Sequence, residues 1–245
     1  MDTRSLLAVL IGFSTLFLSA CGLNVVQGSG HVVTEQRSAS DFNRVELAGS
    51  GEVVITQGAG ESLAVEAEDN LLSHIGTEVR GHTLYLGIHD GLPDVVVLPT
   101  RPIIYHVSMK SVAGLTLSGS GDIRAAHVES DQLDLNLTGS GNVLVDSLNA
   151  ARVTSRITGS GNCRLGGGLV QSQAVDIGGS GSYTSENLQS AAGTVTITGS
   201  GEAVLRVQET LEARITGSGS VRYYGTPQVT EHVTGSGTIQ ALAMR

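Results

Sequence analysis

Apolar and polar residues alternate along short segments on both sides of a Gly-Ser-Gly tripeptide that recurs through the second half of the chain. Polar residues separate the apolar ones before each tripeptide, and a similar alternation resumes after it. A period of two is typical of a β-strand with one buried and one solvated face. Each copy therefore predicts a strand, a glycine corner and a second strand. Two residues before each corner stand branched apolar residues: Leu117, Leu137, Ile157, Ile177, Ile197, Ile215 and Val233.

The spacing of the tripeptides predicts how the strands are assembled. Their first glycines stand 20 residues apart and then 18 apart, at Gly119, Gly139, Gly159, Gly179, Gly199, Gly217 and Gly235. A fixed period of this size is typical of stacked repeats, in which neighbouring copies complete one another's core. We therefore expect an all-β fold, a single-stranded parallel β-helix (β-solenoid) with 18–20 residues per regular rung. A β-propeller is excluded, because each blade would need about 40 residues.

Residues 41–112 depart from this period. One copy, Gly49-Ser50-Gly51, has strand patterns on both sides, and strand-like runs follow at 63–67, 83–88, 95–98 and 103–109, with a short helix or turn expected over 68–75. We expect 41–112 to form irregular N-terminal rungs and 113–245 the regular ones, because a solenoid needs atypical units over its open strand edges. The last rung has little after it, so we expect it to pair with another molecule, with a second copy of the chain as one candidate.

The first residues predict export and a lipid anchor. Arg4 precedes an apolar run over 6–18, too short for a spanning helix and typical of a signal peptide. Leu18-Ser19-Ala20-Cys21 resembles the lipobox of bacterial lipoproteins, which predicts that residues 1–20 are removed and that Cys21 carries lipid such as palmitate. We expect 21–40 to form a tether, with Gly28-Ser29-Gly30 as a linker, that leads into an opening strand. The alternative is an ordinary signal peptide with a chance cysteine. Gly22, by resemblance to enterobacterial sorting, favours the outer membrane of a Gram-negative bacterium, on its periplasmic or outer side.

Composition narrows the classes of function. The chain has 245 residues, a net charge of −9, 15% charged residues, 3% aromatic residues and no Trp. An acidic chain without a basic stripe cannot neutralise phosphates, which excludes a nucleic-acid partner. If Cys21 carries lipid, Cys163 has no disulfide partner. Cys163 occupies one of the alternating strand positions whose side chains are expected to point into the core. We therefore expect a small buried side chain rather than a reactive thiol.

Polar residues occupy the position after each corner: Asp122, Asn142, Asn162, Ser182, Glu202, Ser220 and Thr238. We expect a ladder of side chains that hydrogen-bond from rung to rung. The alternative is a ligand-binding or acid/base line at Asp122, Asn142 and Asn162, as in β-helical polysaccharide lyases and hydrolases. Glycoside hydrolysis needs two converging carboxylates, whereas Asp122 and Glu202 are expected four rungs, roughly 19 Å, apart. The sequence predicts no catalytic residue and no cofactor, and its histidines show no metal-ligand spacing.

Several separate blocks of the N-terminal half occur in a recognisable order. They are FNRVELAGSG over residues 42–51, VVITQG over 53–58, AVEAEDNLL over 64–72 and TEVRGHTL over 77–84. With the later Gly-Ser-Gly copies, over nearly all of residues 38–240, they resemble the putative auto-transporter adhesin family, called the head GIN domain, of exported bacterial proteins. The resemblance implies a right-handed β-helix and an adhesion-related role, with no catalytic residues to carry across.

The expected function is that of a non-enzymatic, lipid-anchored envelope protein, an adhesin or scaffold whose rigid β-helix binds a cell-surface protein or glycan. Two alternatives remain. A polysaccharide lyase or hydrolase is motivated by the solenoid shape and the Asp122 line. A self-assembling structural spacer is motivated by the uncovered last rung.

Overall fold

The computed structural model describes residues 24–88 and 95–243, and strands make up 75% of these residues. Cys21 and the predicted signal peptide lie outside the described residues. Within those ranges one short 3-10 helix, Leu72–His74, lies in the predicted helix or turn, and no helix has the length and apolarity needed to cross a membrane. The strands are β1 (Asn24–Gln27), β2 (Val32–Arg37), β3 (Arg44–Gly49), β4 (Glu52–Gln57), β5 (Ser62–Glu68), β6 (Ile75–Arg80), β7 (Thr83–Ile88), β8 (Val95–Leu98), β9 (Ile104–Met109), β10 (Gly114–Gly119), β11 (Asp122–Gly139), β12 (Asn142–Gly159), β13 (Asn162–Leu165), β14 (Gly168–Gly179), β15 (Ser182–Gly199), β16 (Glu202–Gly217), β17 (Ser220–Tyr224), β18 (Gln228–Gly235) and β19 (Thr238–Ala241).

The regular rungs stack in parallel and in register, which confirms the predicted β-solenoid. β11 pairs with β12 so that Leu137 lies beside Ile157, and β12 pairs with β14 so that Ile157 lies beside Ile177. The stack continues through β15, β16 and β18 to give about six turns. Like residues therefore lie over like residues, and the inner columns of Leu, Ile and Val form one continuous core. Burial of each such side chain contributes about 1.5–3 kcal/mol.

The Gly-Ser-Gly corners need both of their glycines. Gly159 has a φ of 115°, which a side chain would strain. A Cβ on Gly159 would also lie 2.5 Å from the carbonyl oxygen of Gly139, and one on Gly161 would lie 2.6 Å from that of Gly141. The glycines let each corner settle directly onto the preceding one, where the amide of Ser160 donates to the carbonyl of Gly139 at 2.9 Å.

The N-terminal end is a less regular cap, as expected, in which parallel strands continue the stack and antiparallel strands, which the sequence did not predict, pair beside them. β3 lies between β7 and β10, and β4 lies between β9 and β11, all in parallel. β6 then runs antiparallel to β7, β5 to β9, and β2 to β5. Gly81 and His82, both with positive φ, connect β6 to β7 in a two-residue hairpin turn. In a short hairpin the chain reverses direction immediately, so the second strand pairs antiparallel with the first. Such a strand can cover the edge of the stack that a full parallel rung would leave open.

The tether predicted over residues 21–40 is wrong for β1, which is a paired strand of the fold, while β2 lies where the tether was expected to lead into an opening strand. β1 pairs in parallel with β8 in a separate two-stranded sheet, and β2 pairs with β5. Between them, the amide of Gly30 donates to Glu68 at 2.7 Å and the hydroxyl of Ser29 donates to Asp69 at 2.6 Å. Residues 28–30 therefore form a docked turn and not a linker.

The last rung presents an open strand edge within the part of the chain that the structure describes. β18 and β19 pair with β16 and β17 on one side. The inner column that contains Val195 and Ala213, both fully buried, ends at Glu231, which pairs with Ala213 and is exposed. An inward-pointing charge on the outermost strand is one way in which proteins prevent pairing between open edges.

A buried polar cluster lies where the rung length changes from 20 to 18 residues. The register between β15 and β16 shifts twice there, between 185 and 189 and between 190 and 192. The Gln173 carbonyl oxygen accepts hydrogen bonds from Tyr183 and Ser185, both at 2.7 Å, and its amide donates to Ser190 at 2.9 Å. Ser190 in turn donates to the backbone carbonyl of Arg206 at 2.8 Å. The cluster thus satisfies polar groups beside the irregularity.

Replacing Gln173 with Leu keeps most of the side-chain volume but removes the acceptor for two buried hydroxyls. We expect the free energy of unfolding to fall by about 2–4 kcal/mol, because each unsatisfied buried hydroxyl costs about 1–3 kcal/mol. Urea unfolding followed by circular dichroism measures this. Gln171→Leu, at an exposed position of the same strand, is the control and should change stability by less than about 0.5 kcal/mol. Equal effects of the two substitutions would contradict the role of the cluster.

Candidate functional site

The predicted ligand line of Asp122, Asn142 and Asn162 lies on three adjacent rungs and is hydrogen-bonded to itself. The amide of Asn142 donates to Asp122 at 2.7 Å, and the amide of Asn162 donates to Asn142 at 2.9 Å. The hydroxyl of Ser182 then donates to Asn162 at 2.6 Å. These side chains serve as hydrogen-bond donors and acceptors for one another, as in a structural ladder. Ligand binding by this column stays a prediction.

Two acidic residues of this column, Glu52 and Asp122, lie on adjacent rungs and share Arg124 as their ion-pair partner, whereas Glu202 is far from both. Arg124 contacts Glu52 at 2.9 Å and Asp122 at 3.6 Å, while Glu202, four rungs further on, pairs with Arg222. Four rungs correspond to roughly 19 Å, too far for two carboxylates to act on a single glycosidic bond. Among residues 24–88 and 95–243, no three His, Cys, Asp or Glu side chains are placed to hold a metal ion.

Cys163 lies in the core, as the inward phase predicts. Its side chain is nearly fully buried, and burial raises the pKa of the thiol to about 12. The thiolate is the nucleophilic form of cysteine, so this thiol is unreactive at neutral pH. Cys163 serves as a small apolar side chain.

Sequence reasoning missed a groove on the outer face of the cap, formed by β3, β7 and β6. Strand pairing places Glu46, Tyr85 and Glu78 in one row across the three strands. The next row consists of Ala48, Gly87 and Gly76. The open groove over these rows has a volume of about 510 Å³, which falls in the range of about 300–1,000 Å³ that small-molecule sites occupy.

Tyr85 stands at the centre of the groove between two carboxylates. At 38% exposure it is the most exposed of the described aromatic side chains. The guanidinium carbon of Arg80 lies 5.9 Å from the centroid of the Tyr85 ring. Arg80 also pairs with Glu78, and this hydrogen bond raises the pKa of Arg80 above its ordinary value. The groove thus combines an aromatic ring, two carboxylates and a cation.

Beside Tyr85 the floor of the groove is largely backbone. A Cβ on Gly87 would lie 2.8 Å from the carbonyl oxygen of Ala48, so no side chain fits there. In the regular rungs, the column of Gly87 continues with Ser118 and then mostly threonine, and the column of Tyr85 continues with polar residues such as Thr116. A break in these columns was therefore the sequence signal for the groove, but it could be read only once the pairing of β7 with β3 was known.

Comparison with solved structures shows the same fold in several bacterial proteins. A putative adhesin from Bacteroides fragilis has 25% sequence identity and a TM-score of 0.82, over 89% of this chain and all of that one. A putative adhesin from Parabacteroides distasonis has 24% identity and a TM-score of 0.73, with the same coverage. A putative lipid binding protein from the same species has 20% identity and a TM-score of 0.74, over 90% of this chain and all of that one.

No curated protein matches the chain. A family model described as putative auto-transporter adhesin, head GIN domain, matches residues 41–227. That range runs from the strand before the first corner to the rung before the open edge, and the resemblance expected from the sequence is thereby confirmed. The chain belongs to the putative auto-transporter adhesin family, head GIN domain.

Proposed function

We propose that this protein is a non-enzymatic, lipid-anchored envelope adhesin that binds neutral saccharides through the groove around Tyr85. The observation that carries this proposal is the row formed by Glu46, Tyr85 and Glu78 above a backbone floor. The family and two of the structural relatives are named for adhesion, which supports an exported binding protein.

The chemistry of the groove suits a sugar ring. The apolar face of a saccharide packs on an aromatic ring, and its hydroxyls need a few well-placed polar partners. Glu46 and Glu78 can accept hydrogen bonds from hydroxyls on either side of Tyr85, while Arg80 can donate to ring or carbonyl oxygens. Two carboxylates and a net charge of −9 disfavour anionic sugars, so we assign neutral ones.

The exposure of the groove supports binding without catalysis. The Glu78 side chain is 54% exposed and pairs with Arg80. A general acid for glycoside cleavage needs a pKa raised by burial or by a neighbouring negative charge, whereas Glu78 is solvated and faces a cation. The polysaccharide-active alternative therefore gains no support from this pair of carboxylates.

Anchoring in the envelope is proposed from the first 22 residues of the sequence. The lipobox-like Leu18-Ser19-Ala20-Cys21 supports lipid on Cys21, and Gly22 supports the outer membrane of a Gram-negative bacterium. Each buried methylene contributes about 0.8 kcal/mol, and stable anchoring takes more than one chain. The proposed anchor is thus acyl chains on Cys21.

The saccharide site is tested with Tyr85→Ala in the full-length protein, purified in detergent. The probes are neutral cello-, laminari- and chito-oligosaccharides, with oligogalacturonate as the anionic comparison, and the measurement is isothermal titration calorimetry. We expect at least one neutral probe to bind, and Tyr85→Ala to weaken it about tenfold, or about 1.4 kcal/mol, because the stacking surface is lost.

Tyr224→Ala is the matched control for this experiment. Tyr224 also lies beside an arginine, with the guanidinium carbon of Arg206 at 5.2 Å from its ring centroid, but it does not line the groove. Its replacement should leave saccharide affinity unchanged. Failure of every neutral probe to bind, or equal affinity in wild type and Tyr85→Ala, would contradict the saccharide site.

The lipid anchor is tested with Cys21→Ser. We expect this variant to lose incorporation of an alkyne-bearing palmitate analogue and to leave the membrane pellet, because the thiol that carries the lipid is gone. Cys163→Ala, which removes the buried thiol of the core, should keep both label and pellet. Undiminished labelling of Cys21→Ser would refute the anchor.

A self-assembling spacer is the second candidate function, and the open edge of β18 and β19 favours it. A second copy would place two Glu231 side chains near the junction, where desolvating carboxylates opposes pairing. Glu231→Val should therefore strengthen self-association at least tenfold by light scattering over a concentration series. His232→Val, which adds the same apolar group to the opposite face of β18, is the control. A monomer mass for the wild type at every concentration would rule out the spacer, whatever the variants do.

A further inference from the structure

The two-stranded sheet of β1 and β8 carries an exposed apolar face. Val25 lies beside Val96, and Leu98 stands two residues further along β8 on the same face. These side chains are 53%, 37% and 49% exposed. Neither strand contains a charged residue.

This face concentrates the exposed apolar surface of the described residues. Seven large hydrophobic side chains are exposed in those residues, and three of them lie on this one small sheet. Single exposed apolar residues are normal, whereas a contiguous group marks a contact surface. A two-stranded sheet is also marginally stable by itself, so covering its outer face would stabilise it.

The sheet is fixed to the solenoid and does not depend on its two strands alone. The buried carboxylate of Glu68 accepts hydrogen bonds from the Thr100 hydroxyl at 2.5 Å, the Thr100 amide at 2.8 Å and the Gly30 amide at 2.7 Å. The bond from the Thr100 hydroxyl is the main cause of a lowered pKa of Glu68. Gly28 donates to the carbonyl of Leu98 at 3.0 Å, and the Glu68 carboxylate leaves no room for a Cβ on Gly28.

We infer that this apolar face rests on the lipid bilayer that holds the acyl chains of Cys21, and the inference rests on the proposed lipidation. Val25 is four residues after Cys21, and four extended residues span at most about 14 Å. The polar region on each side of a bilayer is about 5–7 Å thick. Anchored acyl chains therefore hold Val25 close to the interface, and of the exposed apolar residues of the described chain those of this sheet include the one nearest in sequence to the anchor.

The chain contains no Trp, so a single introduced Trp reports its surroundings without background. The experiment uses full-length lipoprotein carrying Leu98→Trp in vesicles of phosphatidylethanolamine and phosphatidylglycerol, with and without brominated acyl chains. We expect brominated lipid to quench Leu98→Trp at least twofold. Leu169→Trp, at an apolar position on β14 that is 62% exposed, is the matched control and should remain unquenched.

The outcomes separate the contact from the anchor. Lipidated, vesicle-bound protein with equal quenching at positions 98 and 169 would overturn the contact and leave the anchor standing. Protein that carries no lipid by mass spectrometry and does not sediment with vesicles would overturn both. Val25→Trp, on the neighbouring strand of the same face, gives the same readout if Leu98→Trp fails to fold.

Discussion

The structure depends on the direct stacking of one Gly-Ser-Gly corner on the next. At Gly159 and Gly161 the carbonyl oxygens of the preceding corner occupy the space that a Cβ would need. That contact fixes the register of each rung, because the corner cannot slide along the one below it. Side chains in a strand alternate with a period of two, so a slip of one residue would move every inner Leu, Ile and Val to the solvent. The stacking of the corners therefore determines which side chains form the core.

The same register places the outer residues, and it accounts for where binding chemistry is found. Identical offsets bring Asp122, Asn142 and Asn162 into one line, where their polar groups serve one another. In a regular rung, polar side chains of such a column are therefore engaged in hydrogen bonds to the neighbouring rungs. Side chains suited to bind a ligand are found where such a column of ladder residues is interrupted. At the cap, Tyr85 and Gly87 interrupt two such columns, and an aromatic ring stands beside bare backbone.

The sequence predicted the features that repeat or alternate locally, and it missed those that depend on distant partners. The period predicted the rungs, and the runs at 83–88 and 95–98 have the observed bounds of β7 and β8. Alternation does not reveal a strand's partner, so the antiparallel strands of the cap, the pairing of β1 with β8 and the groove between β3 and β6 were all missed. Gln173 on an inward phase, near the change in rung length, was a readable sign of the polar cluster.

The two ends of the solenoid meet the same physical problem in different ways. An open edge offers unpaired backbone groups and apolar columns to any strand that fits. At the N-terminal end, β2, β5 and β6 cover the stack, and this covering also creates the groove and supports the β1–β8 sheet. At the C-terminal end, one carboxylate on the inner phase of β18 makes further stacking costly. The regular rungs between them act as a spacer that holds the two ends apart. The cap thus brings the proposed ligand groove and the proposed membrane contact to the same end of the molecule, where the irregular strands leave side chains that the ladders do not use.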